Sequence, residues 1–216
     1  TWTVENLEAC RDIMNDLVKK RTTTGGDTRD AFANESQARK RCIADAYALW
    51  HICPGDMSIS TRQGAVNFAA SWVPAPASVD PVHHAIEQDI GSVESSWFRP
   101  GHQMNRGAHL RYILEFARRI KTEHVDPTNA MAVRPLARQF EREYSGGAGG
   151  KNMVLHMLFP DEIEPVFNNW ARERIVTSPA FSKYHEGIED WDGKLAAIRS
   201  GYSADNGLTD FDFYDE

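Results

Sequence analysis

The sequence predicts a mostly α-helical protein, built as an irregular multi-helix bundle with little or no β-sheet. Apolar residues recur at spacings of three and four along most of the chain, as on one face of a helix, and only 153–159 also fits a strand. The 216 residues, 41% of them apolar and 25% charged, are enough to bury a globular core. No apolar run approaches the roughly 20 residues of a membrane span.

The first predicted helix spans Val4–Lys20, with Thr3 as its N-cap and Glu5 in the first turn. Four residues form its apolar stripe: Leu7, Cys10, Met14 and Leu17. The sequence TTTGGD at 22–27 then predicts a flexible break, because adjacent glycines interrupt helices.

Two further long helices are predicted in this half of the chain. One begins at a capping box at Asn34 and ends before Pro54. The other begins at a cap at Ser60 and runs to about Trp72. Beyond a proline-containing linker, a short helix is predicted over 80–90.

The clearest amphipathic helix begins at Asn105 or Gly107. Its apolar face comprises Leu110, Ile113, Leu114, Ala117 and Ile120. On the opposite, polar face, Glu115 is spaced to pair with arginines three or four residues away. Pro135 fits the first turn of a short basic helix that continues to Tyr144.

The glycine-rich sequence SGGAGG at 145–150 is the strongest break in the chain and predicts a boundary or hinge. It separates a helical N-terminal domain, residues 1–145, from a helical connector, residues 151–216, and the two can pack as one unit. Helices are predicted in the connector over 151–159, over 162–177 with an early interruption at Pro165, and over 189–200, with Trp191, Leu195 and Ile198 on one side of the last.

Charge is unevenly distributed along the chain. The formal net charge of −7 argues against a nonspecific nucleic-acid coat, but residues 99–142 hold nine Arg or Lys and four acidic residues. Residues 171–216 hold five basic and ten acidic residues. Arginine forks beside aromatic rings suit phosphate contact and base stacking. The candidate nucleic-acid-binding residues are therefore Arg106, Arg111, Arg118, Arg119, Lys121, Arg134, Arg138 and Arg142.

Enzyme motifs are weak in this sequence. GGAGGK at 146–151 resembles part of a phosphate-binding loop, but Asn152 stands where that loop needs Ser or Thr, so a hinge is the preferred interpretation. His83 and Glu87 are four residues apart without a further metal ligand nearby in the pattern. No Ser/His/Asp set is evident, so we predict no catalytic residue, no metal and no cofactor for this chain.

The three cysteines Cys10, Cys42 and Cys53 are widely spaced, and an odd number argues against a disulfide framework. No secretory signal pattern is visible at the N-terminus. Both observations predict reduced thiols in a cytoplasmic protein.

The connector carries four motifs in a fixed order. They are LFPDEIEP at 158–165, RERIV at 172–176 followed by AF at 180–181, LAAIR at 195–199 and FDFYD at 211–215. This order resembles the segment that precedes the AAA+ module in McrB-like proteins, the motors of modification-dependent restriction systems. The resemblance implies a nucleotide-hydrolysing AAA+ ring, a target-reading N-terminal region and a partner nuclease subunit. The chain has no Walker motif of its own.

We therefore expect a non-catalytic recognition or coupling domain of a McrB-like restriction or antiviral defence ATPase that contacts DNA, with no role at a membrane. Two alternatives stay open. The net charge and acidic tail favour a helical protein–protein interaction or assembly domain without a nucleic-acid role. Asp161, Asp192 and Lys194 match the letters of a small magnesium-dependent nuclease.

Overall fold

The computed structural model describes residues 1–52, 57–73, 106–143, 148–209, 211 and 213. Within these residues the chain is mostly helical and contains no β-strand, so the predicted fold class is confirmed. No helix in this part of the chain combines the length and the hydropathy needed to cross a membrane. The α-helices of the described ranges are α1 (Val4–Lys20), α2 (Gly25–Ala31), α3 (Gln37–Ile52), α4 (Ile59–Ala70), α5 (Arg106–Thr122), α6 (Ala130–Glu143), α7 (Ala148–Leu158), α8 (Asn169–Thr177) and α9 (Trp191–Asn206).

Helix α1 forms as predicted. The hydroxyl of Thr3 accepts a hydrogen bond from the backbone N–H of Asn6 at 3.3 Å, as an N-cap does. The four stripe residues are all buried: Leu7, Cys10, Met14 and Leu17. Because α1 packs against α5 and α3, this stripe faces the centre of the molecule.

The predicted break at 22–27 is present but shorter, because α1 ends at Lys20 and α2 already begins at Gly25. Thr24 and Asp27 form a capping box: the Thr24 hydroxyl accepts from the Asp27 N–H at 3.1 Å, and the Asp27 carboxylate accepts from the Thr24 N–H at 3.0 Å. A Cβ on Gly25 would lie 2.6 Å from the Tyr47 hydroxyl. The glycine therefore allows α2 to approach α3 closely, and it does not interrupt the helix.

Helices α3 and α4 are each capped by a serine two residues away from the predicted N-cap. Ser36, and not Asn34, accepts from the backbone N–H of Arg39 at 3.3 Å at the start of α3. Ser58, and not Ser60, accepts from the N–H of Thr61 at 3.2 Å at the start of α4. Several serines and asparagines compete for each cap in this sequence, which displaces both starts by about one turn or less. Cys53, Pro54 and the predicted helix over 80–90 lie outside the described residues.

Helix α5 is the central element and packs against α1, α3, α6 and α7. Its predicted apolar face is confirmed, with Leu110 and Leu114 fully buried. Its polar face is not open to solvent, since Glu115 is only 2% exposed. Helix α1 covers that face and brings Arg11 to 3.0 Å from the Glu115 carboxylate.

Helix α6 is longer than the short helix predicted from Pro135. It begins at Ala130, where the side-chain oxygen of Asn129 accepts from the N–H groups of Met131 and Ala132 at 3.1 and 3.3 Å. Pro135 therefore lies inside the helix, in its second turn. A proline this close to the N-terminus removes only one backbone donor near the end of the helix.

Residues from both predicted domains share one hydrophobic cluster. Met153 and Leu155 of α7, then Phe159, pack in the cluster that holds α1, α3 and α5. Residues 153–158 are helical and not a strand, and the helix already includes Gly149 and Gly150. The first residues of the predicted hinge, 145–147, lie outside the described residues, and the division into two domains stays a prediction.

The last two helices differ in length from the prediction. The expected helix over 162–177, with its predicted interruption at Pro165, begins only at Asn169, where the side-chain oxygen of Asn168 accepts from the Trp170 N–H at 2.9 Å as an N-cap. Helix α9 extends six residues beyond Ser200, to Asn206.

A second, small hydrophobic cluster joins this region. Its buried members are Val166, Val176, Leu195 and Ile198. Ile163 and Phe167, close to Val166 in the chain, belong instead to the main cluster. The non-helical stretch 163–167 therefore contributes side chains to both clusters.

Candidate nucleic-acid interface

A polar cavity of about 390 Å³ lies where α6, α7, α8 and α9 meet. Its lining combines three cations, two carboxylates, an amide and an indole: Arg138, Lys151, Asn169, Arg172, Asp190, Trp191 and Asp192. The three cations outnumber the two carboxylates by one charge. In this cavity, basic groups from three helices therefore converge beside an aromatic ring.

An ion pair fixes one wall of this cavity. The Arg172 guanidinium of α8 donates to the Asp192 carboxylate of α9, and both side chains are more than nine-tenths buried. Such a pair joins the two helices because separating it would leave a charge in a poorly solvated place. Asp190 caps α9 by accepting from the Gly193 N–H at 2.9 Å, and its carboxylate lies 4.0 Å from Arg138.

A buried amide connects α7 to the start of α8. The Nδ2 of Asn152, a fully buried residue, donates to the Phe167 carbonyl at 2.8 Å and to the Asn169 side-chain oxygen at 2.9 Å. Because Lys151 is adjacent to Asn152 in α7, these two hydrogen bonds also fix the position of Lys151 relative to α8. Two buried polar atoms next to the cavity, the Asn152 Oδ1 and the Arg172 Nε, have no hydrogen-bond partner among the described residues.

Two tryptophans near the helix starts keep part of their rings in solvent. Trp191, the first residue of α9, is 40% exposed and lines the cavity. Trp170, in the first turn of α8, is 45% exposed, with the Arg174 guanidinium 4.7 Å from its ring centre. Of the predicted apolar side of α9, Leu195 and Ile198 are fully buried, whereas Trp191, at the start of the helix, stays partly exposed.

The predicted basic residues of α5 are engaged inside the molecule. The Arg106 guanidinium lies 5.0 Å from the Trp50 ring centre and 5.6 Å from that of Tyr47, at cation–π distance. Arg111 donates to the Asn15 side-chain oxygen at 3.4 Å.

The Glu115 carboxylate accepts hydrogen bonds from three arginines. Arg118 donates to both carboxylate oxygens at 2.7 and 2.8 Å, Arg119 to one at 3.3 Å, and Arg11 of α1 to one at 3.0 Å. Burial raises the pKa of Glu115, but the hydrogen bonds from Arg118 and Arg11 outweigh it, so the pKa lies below its ordinary value. These arginines therefore neutralise a buried carboxylate.

The basic residues of α6 face a different set of partners. Arg134 donates to Glu162 at 2.9 Å, whereas Arg138 is 55% exposed and reaches the cavity. Lys121 is exposed at the rim of a separate apolar cavity. Arg142 belongs to α6, but its side chain lies outside the described part. Nucleic-acid contact by the eight predicted residues stays a prediction. Of these eight, only Arg138 lines the cavity, where it lies with two other basic residues, Lys151 and Arg172.

Sequence reasoning singled out two cavity residues for other chemistry. Lys151 belonged to the weak phosphate-loop motif, and Asp192 to the nuclease alternative. Asn169, Arg172 and Trp191 gave no functional signal, although a tryptophan at the first turn of each of two neighbouring helices is a pattern visible in the sequence. Whether such a tryptophan can bind a ligand depends on the exposure of its ring, which follows from tertiary packing and not from the local sequence.

Metal binding and thiol chemistry are the two other candidate activities. No group of three or more His, Cys, Asp or Glu side chains suited to a metal ion occurs within the described ranges. Cys10 and Cys42 are buried free thiols, and a hydrogen bond between them, together with burial, raises the pKa of Cys42. A raised pKa opposes thiolate formation, so the structure gives no support to Cys42 as a nucleophile.

Comparison with protein-family models, curated proteins and solved structures gives no match for this chain. The resemblance to McrB-like proteins therefore depends on the four ordered motifs alone.

Proposed function

We propose that this chain is a non-catalytic recognition and coupling module of a McrB-like defence ATPase, and that it contacts DNA at the cavity between α6, α7, α8 and α9. The observation that carries the proposal is the convergence of Arg138 and Lys151 at one cavity with the half-exposed ring of Trp191. Guanidinium and ammonium groups contact phosphates, and an indole stacks on bases or sugars.

The position of the cavity fits a coupling role. One wall comes from α6, which belongs to the predicted recognition domain, and another from α8 and α9, which carry the motifs resembling the segment ahead of an AAA+ module. Within LFPDEIEP, Phe159 and Ile163 pack in the main core. Glu164 of the same motif accepts from Arg199 of α9 at 3.0 Å. A ligand in the cavity would thus contact both the predicted recognition domain, through α6, and the predicted connector, through α8 and α9.

A second function is supported by a different surface. An apolar cavity of about 380 Å³ lies between α5 and α7 and is lined by Trp2, Leu49, Ile113, Phe116, Ala117, Ile120, Lys121, Pro127, Val154, Met157 and Leu158. Exposed apolar grooves are typical of protein-binding sites. This feature favours the alternative of a protein-interaction domain.

The DNA proposal is tested by titrating labelled duplexes, with and without modified bases, at several salt concentrations. Arg138→Glu and Lys151→Ala are each expected to weaken binding about tenfold and to lower the salt slope by about one or two, as the loss of phosphate contacts requires. Lys20→Glu is the matched control, since Lys20 is exposed at the end of α1 and outside the cavity.

Three results would count against the proposal. Absence of binding to any nucleic acid at low salt would reject it. Equal effects of the control and cavity variants would show that overall charge, and not this site, governs binding. Magnesium-dependent nicking of plasmid DNA that is lost in Asp192→Asn would favour the nuclease alternative instead.

A further inference from the structure

The cavity between α6, α7, α8 and α9 has the size of a small-ligand site. Its volume of about 390 Å³ falls at the lower end of the roughly 300–1,000 Å³ typical of such sites. A segment of duplex does not enter a space of this size, whereas one nucleotide does. Phosphate contact along a duplex would therefore leave most of the cavity unused.

The basic side of the cavity is suited to an anion. Arg138 and Lys151 approach it from α6 and α7, and Arg172 lines it from α8. Arg172 is 3% exposed and is paired with Asp192 through one terminal nitrogen, while its Nε donates to no group in the described part of the chain. The Nε is enclosed by protein, so Arg172 adds positive charge beside the cavity, and direct contact with an anion falls to Arg138 and Lys151.

The same lining also contains a residue suited to stacking on a flat ring. Trp191 is the aromatic residue of the lining and keeps 40% of its surface exposed, although it is an apolar side chain at a helix start. Asn169 and Asp190 stand in the same lining and supply a side-chain amide and a carboxylate, the latter 4.0 Å from Arg138. Amide and carboxylate groups are among those that proteins use to hydrogen-bond base edges.

We infer that the cavity binds a single unpaired nucleotide, with the base stacked on Trp191 and the phosphate held by Lys151 and Arg138. This inference rests on the proposed function, because both use the same cavity, and it adds the identity of the ligand. Stacking on an indole needs an open base face, which a paired and stacked base does not offer. The nucleotide has two possible sources, a single-stranded segment or end of nucleic acid, and a free nucleoside phosphate.

The test compares one 20-nucleotide strand, the same sequence as a blunt duplex, free dAMP and inorganic phosphate, each titrated into the full chain at fixed salt. The single strand, dAMP or both are expected to bind, and the strand at least tenfold more tightly than the duplex. Trp191→Ala is expected to weaken strand and dAMP binding about tenfold, the loss of one stacked base, and to change duplex binding less than twofold.

Trp170→Ala is the matched control, because Trp170 is equally exposed on the neighbouring helix but does not line the cavity. It is expected to leave strand and dAMP binding within twofold of the wild type. Circular dichroism of both variants checks that α8 and α9 remain folded, and Trp191→Phe, which keeps a ring, is expected to recover most of the affinity.

The outcomes separate this inference from the proposed function. Binding of duplex alone, or equal weakening by Trp170→Ala and Trp191→Ala, would overturn the inference and leave the DNA proposal standing. Binding of dAMP without any nucleic acid would support the inference and overturn the DNA proposal. Inorganic phosphate binding as tightly as dAMP would overturn the inference, because the ring would then contribute nothing.

Discussion

The indole Nε1 of Trp50 donates a hydrogen bond to Nδ1 of His109 at 3.1 Å, inside the core where α3 meets α5. Trp50 is fully buried and His109 is 3% exposed. This bond assigns the acceptor role to Nδ1, so the imidazole is neutral. Two large polar-tipped rings are thereby accommodated in the middle of an apolar cluster.

Replacing Trp50 by Phe is expected to lower the free energy of unfolding by about 2–6 kcal/mol. The change leaves the His109 Nδ1 without this donor and removes part of a buried ring, and each effect costs about 1–3 kcal/mol. Urea denaturation followed by circular dichroism measures the change. Trp191→Phe, at a 40% exposed position, is the control and should cost less than about 1 kcal/mol.

Stability is expected to fall between pH 6.5 and pH 4 because of His51. Burial, with a smaller contribution from Arg106, lowers the pKa of His51 from 6.5 to about 4, against the opposing effect of its hydrogen bond to the Tyr47 carbonyl. The unfolded chain then binds this proton more readily than the folded chain does. The stabilisation is complete above pH 6.5 and is lost as the pH falls toward 4, by about 3 kcal/mol in total.

Urea denaturation at pH 7.5 and pH 5 tests this expectation. The difference between the two pH values should shrink in His51→Asn. His124→Asn is the control, since His124 is exposed and has a φ of 52°, which asparagine tolerates. An unchanged pH dependence in His51→Asn would contradict the assignment.

Glu115→Gln is expected to destabilise the fold by about 3 kcal/mol, because three guanidinium groups would lose a buried carboxylate. The lowered pKa of Glu115 means that its contribution is present above the unfolded pKa and is lost as the pH falls through the folded value. The variant should therefore lose less stability on acidification than the wild type. Glu8→Gln, at an exposed carboxylate 3.4 Å from Arg118, should change stability by less than about 1 kcal/mol.

Two glycine substitutions are expected to act in opposite directions. A Cβ on Gly107 would lie 2.5 Å from a Thr23 methyl and 2.8 Å from a Val18 methyl, so Gly107→Ala should cost about 1–3 kcal/mol by overpacking. Gly64 lies inside α4, where an added Cβ would meet none of the described residues within 4 Å, so Gly64→Ala should stabilise by about 0.5–1 kcal/mol. Thermal denaturation distinguishes the two signs.

The helices with the most regular apolar spacing were predictable from the sequence. Four buried stripe residues define α1, and the apolar face of α5 is correct from Leu110 to Ile120. Helix ends were less predictable because neighbouring serines and asparagines compete as caps, as at Ser36 and Ser58. The interruption at Pro165 was predictable, but the start of α8 depends on the cap at Asn168, which lies beyond it.

The candidate site was predictable only in fragments. Arg138 carried a charge signal, and Lys151 and Asp192 carried motif signals that pointed to unrelated chemistry. Their convergence depends on how four helices pack, which no local pattern specifies. The engagement of Arg118 with Glu115 follows from i,i+3 spacing, but the burial of that pair depends on α1, about 100 residues away in the chain.

The stretch 163–167, which gives side chains to both hydrophobic clusters, has a consequence for amide hydrogen exchange. Regions held by a small hydrophobic cluster unfold locally more readily than the rest of a protein. Backbone amides of α8 and α9 should therefore exchange through local unfolding, whereas those of α5, in the main cluster, should exchange only through global unfolding. A molecule held between α6, α7 and α8, α9 would oppose that opening. Slower exchange confined to the last two helices would thus reveal occupancy of the cavity without any label on the ligand.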